Sequence, residues 1–539
     1  MTSVRRLPLV MVTVVVVLAL LSTACQRSDT DSGKPGTSGK GGKLVFGLTQ
    51  EPDVLDPHTT ALAVASRVML NIYDPLVWKD NAGEYHPGLA RSWEISPDGL
   101  TYTFKLRDDV KFHDGTPFNA EAVKVNFDRV INPATKAKGA RSNIGPYKAT
   151  EVVDQHTARV ILAEPFAPFL DSLSQPTLSI ISPAAIAKYG DDLGQHPVGT
   201  GPFKFVEWVQ KDHVRLARND DYKWAPGIRK HQGPARLESI EFKFILESAA
   251  RMATLETGET NIVEAVTAQD LPRLESNSKI KFVKAPWGGM VLNAMLNAKK
   301  FPTDDVRVRR AMLAAHDQDT IVSTLFKGIH TPARGPLPPT QWGADKLVEE
   351  YKFDLARAKK LLDDAGWKPG PDGIRVKNGK PLKALMITQP GTKMEGAAEM
   401  IQAQQREAGI LIEISDRDRA AGYAAYSVGE HNLAPIFLSA SDPHVLSMAF
   451  HSRNIGAGFN RAHYANPELD KALNDGAATT DPPKRLERYA KAQKIIMDEA
   501  IMLPIYNQVA VYALRGEVED VTYEPRAYPV LYDVSITKK

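Results

Sequence analysis

Phe104-Lys105-Leu106-Arg107-Asp108-Asp109-Val110-Lys111-Phe112-His113-Asp114-Gly115-Thr116-Pro117-Phe118 is the stretch on which the fold turns. Its front end completes an alternation that begins at Thr101. Tyr102, Phe104 and Leu106 fall on one face, and Thr103, Lys105 and Arg107 on the other. A period of two with one apolar face is the pattern of a half-buried strand. Pro97-Asp98-Gly99 supplies the turn ahead of it. His113-Asp114-Gly115 reads as the turn that closes a hairpin, with Pro117 shaping the exit, rather than as a catalytic dyad. Phe104 and Phe112 are assigned to the core, together with Trp93.

Working outward, Ile240-Glu241-Phe242-Lys243-Phe244 alternates in the same way and predicts a second strand. Helices show by the 3.6-residue period and by caps. Asp304 and Asp305 precede a run that puts Val308, Ala311, Met312 and Ala315 on one face. Asp354 caps a helix carrying Leu355, Ala358, Leu362 and Ala365, which Gly366 can end. Pro482-Pro483 opens another, with Leu486, Tyr489, Ala490, Gln493 and Met497 expected to face inward. Strands are expected mainly before about residue 290 and helices after it. No repeat of solenoid period occurs. The pattern predicts a mixed α/β body, α+β in its segregation of strands and helices.

Length and composition bound the function. The chain has 539 residues with a formal net charge of +3, so it is long enough for about three domains and carries no basic excess for nucleic acid. At 43% hydrophobic and 24% charged it is neither disordered nor a polytopic membrane protein. Its single cysteine excludes an internal disulfide framework and multi-cysteine metal sites. That cysteine directly follows an expected export leader. Arg5 and Arg6 precede an uncharged run from Leu7 to Leu21, which is short for a membrane span. Leu21-Ser22-Thr23-Ala24-Cys25 closes the run and resembles a bacterial lipobox, with residues 1–24 removed and Cys25 acylated. Gln26 to Gly42 has ten Gly, Ser or Thr among 17 residues and is expected to be a tether, too polar to order itself. At roughly 5–6 Å times the square root of its length, it would span about 20–25 Å. A lipid-anchored, extracytoplasmic body follows from this reading.

Motifs for catalysis and cofactors do not occur. There is no His-Glu-x-x-His, no Gly-x-Ser-x-Gly and no EF-hand loop, and Gly39-Lys40 lacks the earlier glycine of a P-loop. Val198-Gly199-Thr200-Gly201-Pro202 is glycine-rich, but Pro202 removes an amide that phosphate binding would use, so positive φ or tight packing at the glycines is expected instead. No cofactor, no resident metal and no enzymatic activity are expected. An anchored hydrolase assembled from distant residues, or a surface sensor, stays open as the alternative class.

An ordered series of motifs carries a resemblance. Glu51-Pro52-Asp53-Val54-Leu55-Asp56-Pro57 follows the apolar stretch Leu44 to Leu48. Ile72-Tyr73-Asp74-Pro75-Leu76-Val77, Pro87-Gly88-Leu89-Ala90-Arg91-Ser92-Trp93 and the opening stretch come next. Pro197-Val198-Gly199-Thr200-Gly201-Pro202-Phe203, Asp305-Val306-Arg307-Val308-Arg309-Arg310-Ala311 and Ala365-Gly366-Trp367 complete the series. In order and spacing the chain, over about residues 43–510, resembles the extracellular solute-binding proteins of family 5, the peptide- and nickel-type receptors of ABC importers.

The resemblance implies a two-lobed class II periplasmic-binding-protein fold with an inserted subdomain. Lobe I would comprise 43–80, 199–285 and 508–539, the insertion 81–198, and lobe II 286–507, after the leader 1–24 and the tether 25–42. A small-molecule solute, by default an oligopeptide, would be held between the lobes. The partners would be a permease and, through it, separate ATPase subunits, with the receptor a monomer. Candidate ligand residues are Gln50 and Glu51 at the first strand's end, Trp287 after the proposed hinge, and Phe437 and Asp442 in Phe437-Leu438-Ser439-Ala440-Ser441-Asp442-Pro443. Peptide-binding members carry an aspartate where Ser439 stands, so Asp442 would serve instead or the ligand would lack a free amine. Tyr426 and Arg453 would add stacking or a carboxylate partner. Phe118-Asn119-Ala120-Glu121-Ala122-Val123 resembles the nickel-type branch, in which Arg141 would meet a carboxylate-bearing chelator.

Overall fold

The computed structural model describes residues 41–60, 62–345, 351–390, 394 and 396–537. The leader, Cys25 and all of the tether before Gly41 lie outside the described residues.

The alternation at the centre of the chain forms as read. Thr101–Leu106 is a strand with Tyr102, Phe104 and Leu106 buried. It pairs antiparallel with Ala90–Ile95 and Thr157–Leu162 in a four-stranded sheet closed by Tyr147–Asp154. The turn after it is also as expected: Phe112 N–H donates to Thr116 O at 2.8 Å, and Gly115 has φ +86°. The helix Ala120–Ile131 lays Val123 and Phe127 into this sheet's core, capped by the Asn119 side chain accepting from Ala122 N–H.

The second predicted strand, Ser239–Phe244, is central to a seven-stranded sheet. Its order is Ile280–Pro286, Val509–Arg515, Ile262–Val263, Lys43–Leu48, Ser239–Phe244, His213–Arg218, Phe203–Val209. Lys43–Leu48 runs parallel to both of its neighbours. A six-stranded sheet follows the order Thr331–Pro332, Met502–Asn507, Leu292–Leu296, Leu433–Ile436, Lys383–Thr388, Leu411–Asp416. The expected thinning of strands after residue 290 is therefore corrected. Leu292–Leu296, Leu433–Ile436 and Met502–Asn507 are buried at every position. A strand covered on both faces shows no alternation to read.

Caps hold where they were expected. Asp305 accepts from Arg307 N–H to open Val306–Ala314, and Asp354 accepts from Arg357 N–H to open Leu355–Asp364. The long helix Pro482–Asp498 turns inward a face that only partly matches the expected one. Tyr489, Gln493 and Met497 are buried, but Arg485, Ala492 and Ile496 join them while Leu486 is exposed. The reason is an ion pair that draws Arg485 inward. At Gly199 and Gly201 the structure selects close packing over positive φ: an added Cβ would lie 2.1 Å from Ile72 O and 2.6 Å from Ile72 C, respectively. No helix among the described residues is long and apolar enough to cross a membrane.

Candidate functional site

The chain passes between the two large sheets twice, from Pro286 to Leu292 and from Asn507 to Val509. A cavity of about 700 Å³ lies against both crossings. On the seven-stranded side, Thr49 follows the strand Lys43–Leu48, Glu264 follows Ile262–Val263, and Arg67 comes from the helix Ala63–Ile72. Thr49 and Glu264 thus stand at the carboxyl ends of two parallel strands, where open α/β sheets place their ligands. On the six-stranded side stand Phe326, His330 and Tyr506, and the crossings add Trp287 and Gln508.

The polar wall is tightly tied. Thr49 donates to Glu264 Oε1 twice, from its N–H and its hydroxyl, each at 2.9 Å. Arg67 Nε lies 3.0 Å from Glu264 Oε2, with the two side chains 10% and 3% exposed. The Arg67 guanidinium stacks 5.1 Å above the Tyr528 ring. Burial works against the Arg67 charge, but Glu264, Tyr512 and Tyr528 overcome it and hold its pKa above the ordinary arginine value. The cavity therefore keeps a fixed cation. The opposite wall is aromatic: His330 stacks on Tyr506 at 4.5 Å, and Phe326 lies 4.6 Å from the same ring.

Of the candidates read from the sequence, Trp287 lines this cavity. Phe437 meets its ring edge-on at 5.5 Å, behind it. Gln50 is exposed next to Thr49. Glu51 is engaged elsewhere, accepting from Trp208 Nε1 at 2.8 Å and Lys211 N–H at 3.1 Å. Tyr426 is buried, donates to Ile387 O at 2.8 Å and carries the Arg461 guanidinium 4.1 Å above its ring. Arg141 donates to Ile131 O at 2.8 Å on the helix Lys138–Ile144, and Arg453 is exposed on the turn Ser452–Asn454. None of these last six side chains lines the cavity. Sequence reasoning missed Arg67 and Glu264. The available signal was Arg67 itself, the one charge in the helix Ala63–Ile72.

Asp442, offered by the sequence as a partner for an amine, is bound by Arg485. The guanidinium donates through Nη2 to Oδ1 at 2.8 Å and through Nη1 to Oδ2 at 2.9 Å. Beside it, Lys79 Nζ donates to Asp171 Oδ1 at 2.6 Å and to Ser441 O at 2.8 Å, and Ser441 Oγ donates to Asp171 Oδ1 at 2.7 Å. This buried set joins the segment that carries the four-stranded sheet to the loop after Leu433–Ile436. Among the described residues, no group of three or more His, Cys, Asp or Glu comes together as a metal site.

Comparison with known proteins gives a consistent picture. Residues 84–456 match the model of the bacterial extracellular solute-binding proteins, family 5. The glutathione-binding protein GsiB of Pectobacterium atrosepticum is 34% identical over 466 residues, covering 83% of this chain and 85% of that protein. Among solved structures, the periplasmic binding protein DppA of Helicobacter pylori in complex with the peptide STSA is 29% identical with a TM-score of 0.74, covering 93% of this chain and 99% of that one. NikA of Brucella suis in complex with Fe(III)-EDTA is 27% identical with a TM-score of 0.82, covering 92% and 100%.

Proposed function

The chain belongs to the bacterial extracellular solute-binding proteins, family 5, and from that premise we propose that it captures a short peptide in the cavity between its two large sheets. Its fold is that of class II periplasmic binding proteins. Proteins of this family are the solute-binding receptors of ABC importers and lie outside the cytoplasm. The observation that carries the ligand reading is the cavity itself. At about 700 Å³, with one guanidinium facing aromatic rings, it falls within the ~300–1,000 Å³ range of sites that enclose small organic ligands.

In this reading lobe I comprises 43–80, 199–285 and 508–539, the insertion 81–198, and lobe II 286–507, with the hinge at the two crossings. The division is supported by the origin of the strands, since each large sheet and the four-stranded sheet draws on one of these sets. Ligand contacts on both sides would favour the closed arrangement by their differential affinity for it. The closed monomer would then dock on a permease, with ATP hydrolysed by another chain and no chemistry performed by this one. Cys25 would carry the lipid that holds the body at the membrane.

A metal–chelator complex is the second reading. It is favoured by the similarity to NikA, whose structure holds Fe(III)-EDTA, and by an arginine placed to meet a chelator's carboxylates. Native mass spectrometry of protein purified from its own host, followed by thermal-shift screening of glutathione, short peptides, chelates and sugars, separates the readings. A bound solute at 100 times its Kd stabilises by about 2.7 kcal/mol. If no member of the panel raises the melting temperature, the receptor reading loses its support.

A further inference from the structure

We propose that Arg67 is the carboxylate anchor of the cavity, so that the solute is a small molecule selected by a free carboxylate rather than by its amine. The proposal rests on the solute-binding reading above and names what that site selects. Among the described residues that line the cavity, Arg67 is the one Lys or Arg and Glu264 the one acidic side chain. Glu264 already has a cation as its partner. Its Oε1 accepts both Thr49 donors, its Oε2 sits against Arg67 Nε, and its side chain is 3% exposed. It acts as the backing that orients the arginine.

The arginine is held but under-used. A guanidinium has five donors in a planar fork. Here Glu264 meets the Nε edge, Tyr512 takes a further hydrogen bond, and Tyr528 supports the face. Although Nε and Oε2 lie 3.0 Å apart, neither makes an aligned hydrogen bond, and both are buried. A buried polar atom without an aligned partner is costly. Two further oxygens on the open side of the fork, as a carboxylate supplies them, would meet the remaining donors in the bidentate geometry that arginine favours. The aromatic wall of Phe326, His330 and Tyr506 then faces the rest of the solute and has no charge requirement of its own. The chain of positioning runs from Thr49 through Glu264 to Arg67 and on to the ligand.

The test perturbs the ligand first, so that it does not depend on a variant folding. Calorimetric titration of the unaltered mature protein uses glutathione and the peptide Ser-Thr-Ser-Ala, each with free carboxylates, with carboxylates esterified or amidated, and with the amine acetylated. Blocking the carboxylates is expected to weaken binding by about 10- to 100-fold, the scale of one charged hydrogen-bonding contact. Acetylating the amine is expected to change it by less. In R67Q the preference for the free carboxylate should collapse toward 1, and in R67K it should be partly retained, because a point charge replaces the fork. Carboxylate-blocked forms binding as tightly as free ones would overturn the inference while leaving the receptor reading intact. If neither peptide binds in any form, the peptide reading falls and this inference with it.

Discussion

Replacing Asp442 by Asn tests whether this carboxylate belongs to the fold or to the ligand. Asp442 and Arg485 are 4% and 6% exposed and share two hydrogen bonds of 2.8 and 2.9 Å. Arg485 also donates to Gly476 O at 2.9 Å and lies 5.3 and 5.4 Å from the rings of Trp342 and Tyr489, so it cannot follow a lost partner into solvent. The variant keeps the shape and removes the charge, which leaves a buried guanidinium uncompensated. Breaking such a pair costs about 3–5 kcal/mol. Unfolding entropy scales as about 2.1 cal/mol/K per residue, so for roughly 500 residues melting together this is about 3–5 °C, and more if one lobe melts alone. A pH series supplies a second limb. Burial pushes the Asp442 carboxyl up, but Arg485, nearby Lys79 and the His444 N–H outweigh burial and hold it at about 2. A folded pKa below the unfolded value of about 3.9 contributes stability that is complete above about pH 5 and is lost as pH falls toward 2. Urea unfolding of parent and variant, followed by tryptophan fluorescence, should therefore differ most at neutral pH and converge in acid. If D442N keeps its stability to within about 1 kcal/mol and instead loses solute binding, Asp442 is a ligand group and the reasoning here is wrong.

Other expectations are open to direct measurement. Lys79→Met leaves Asp171 buried without its cation and removes the contact to Ser441 O, and should lower stability by about 3–5 kcal/mol in chemical denaturation; an unchanged midpoint would count against the buried set. Gly289→Ala forces a side chain at φ +114° and puts a Cβ 2.1 Å from Leu438 O, so it should destabilise by about 1–3 kcal/mol or disturb the crossing, visible as a changed denaturation midpoint. Trp287→Ala removes an aromatic surface from the cavity and should weaken solute affinity by about tenfold or more in calorimetry. Cys25→Ser should move the protein from the membrane fraction to the soluble one and abolish labelling with a fatty-acid analogue; retention in membranes would refute the anchor.

Much of the fold was legible because its signals are local. Tyr102, Phe104 and Leu106 announce their strand within six residues, and Asp305 and Asp354 announce their helices within one turn. Leu292–Leu296 gave no such signal, because every position is buried and neither face is polar. The inward face of Pro482–Asp498 was legible only in part for a related reason: Arg485 looks like a surface residue until its partner is known. The cavity was the least legible part. Trp287, named from its place after the expected hinge, lines the cavity, as do Arg67 and Glu264, which carried no motif.

By itself the sequence determined most of the strand and helix periods, the caps and the family. Tertiary structure alone decided which charges meet. Thr49 reaches Glu264 across 215 positions, and Asp442 finds Arg485 across 43. Local periodicity records which side of an element is apolar, and it carries no address for a partner on another element. That address is set when two crossings bring the ends of two sheets together, where burial makes each polar group find a partner or lose stability. The same burial that pairs Asp442 with Arg485 holds Arg67 against Glu264 at the cavity wall.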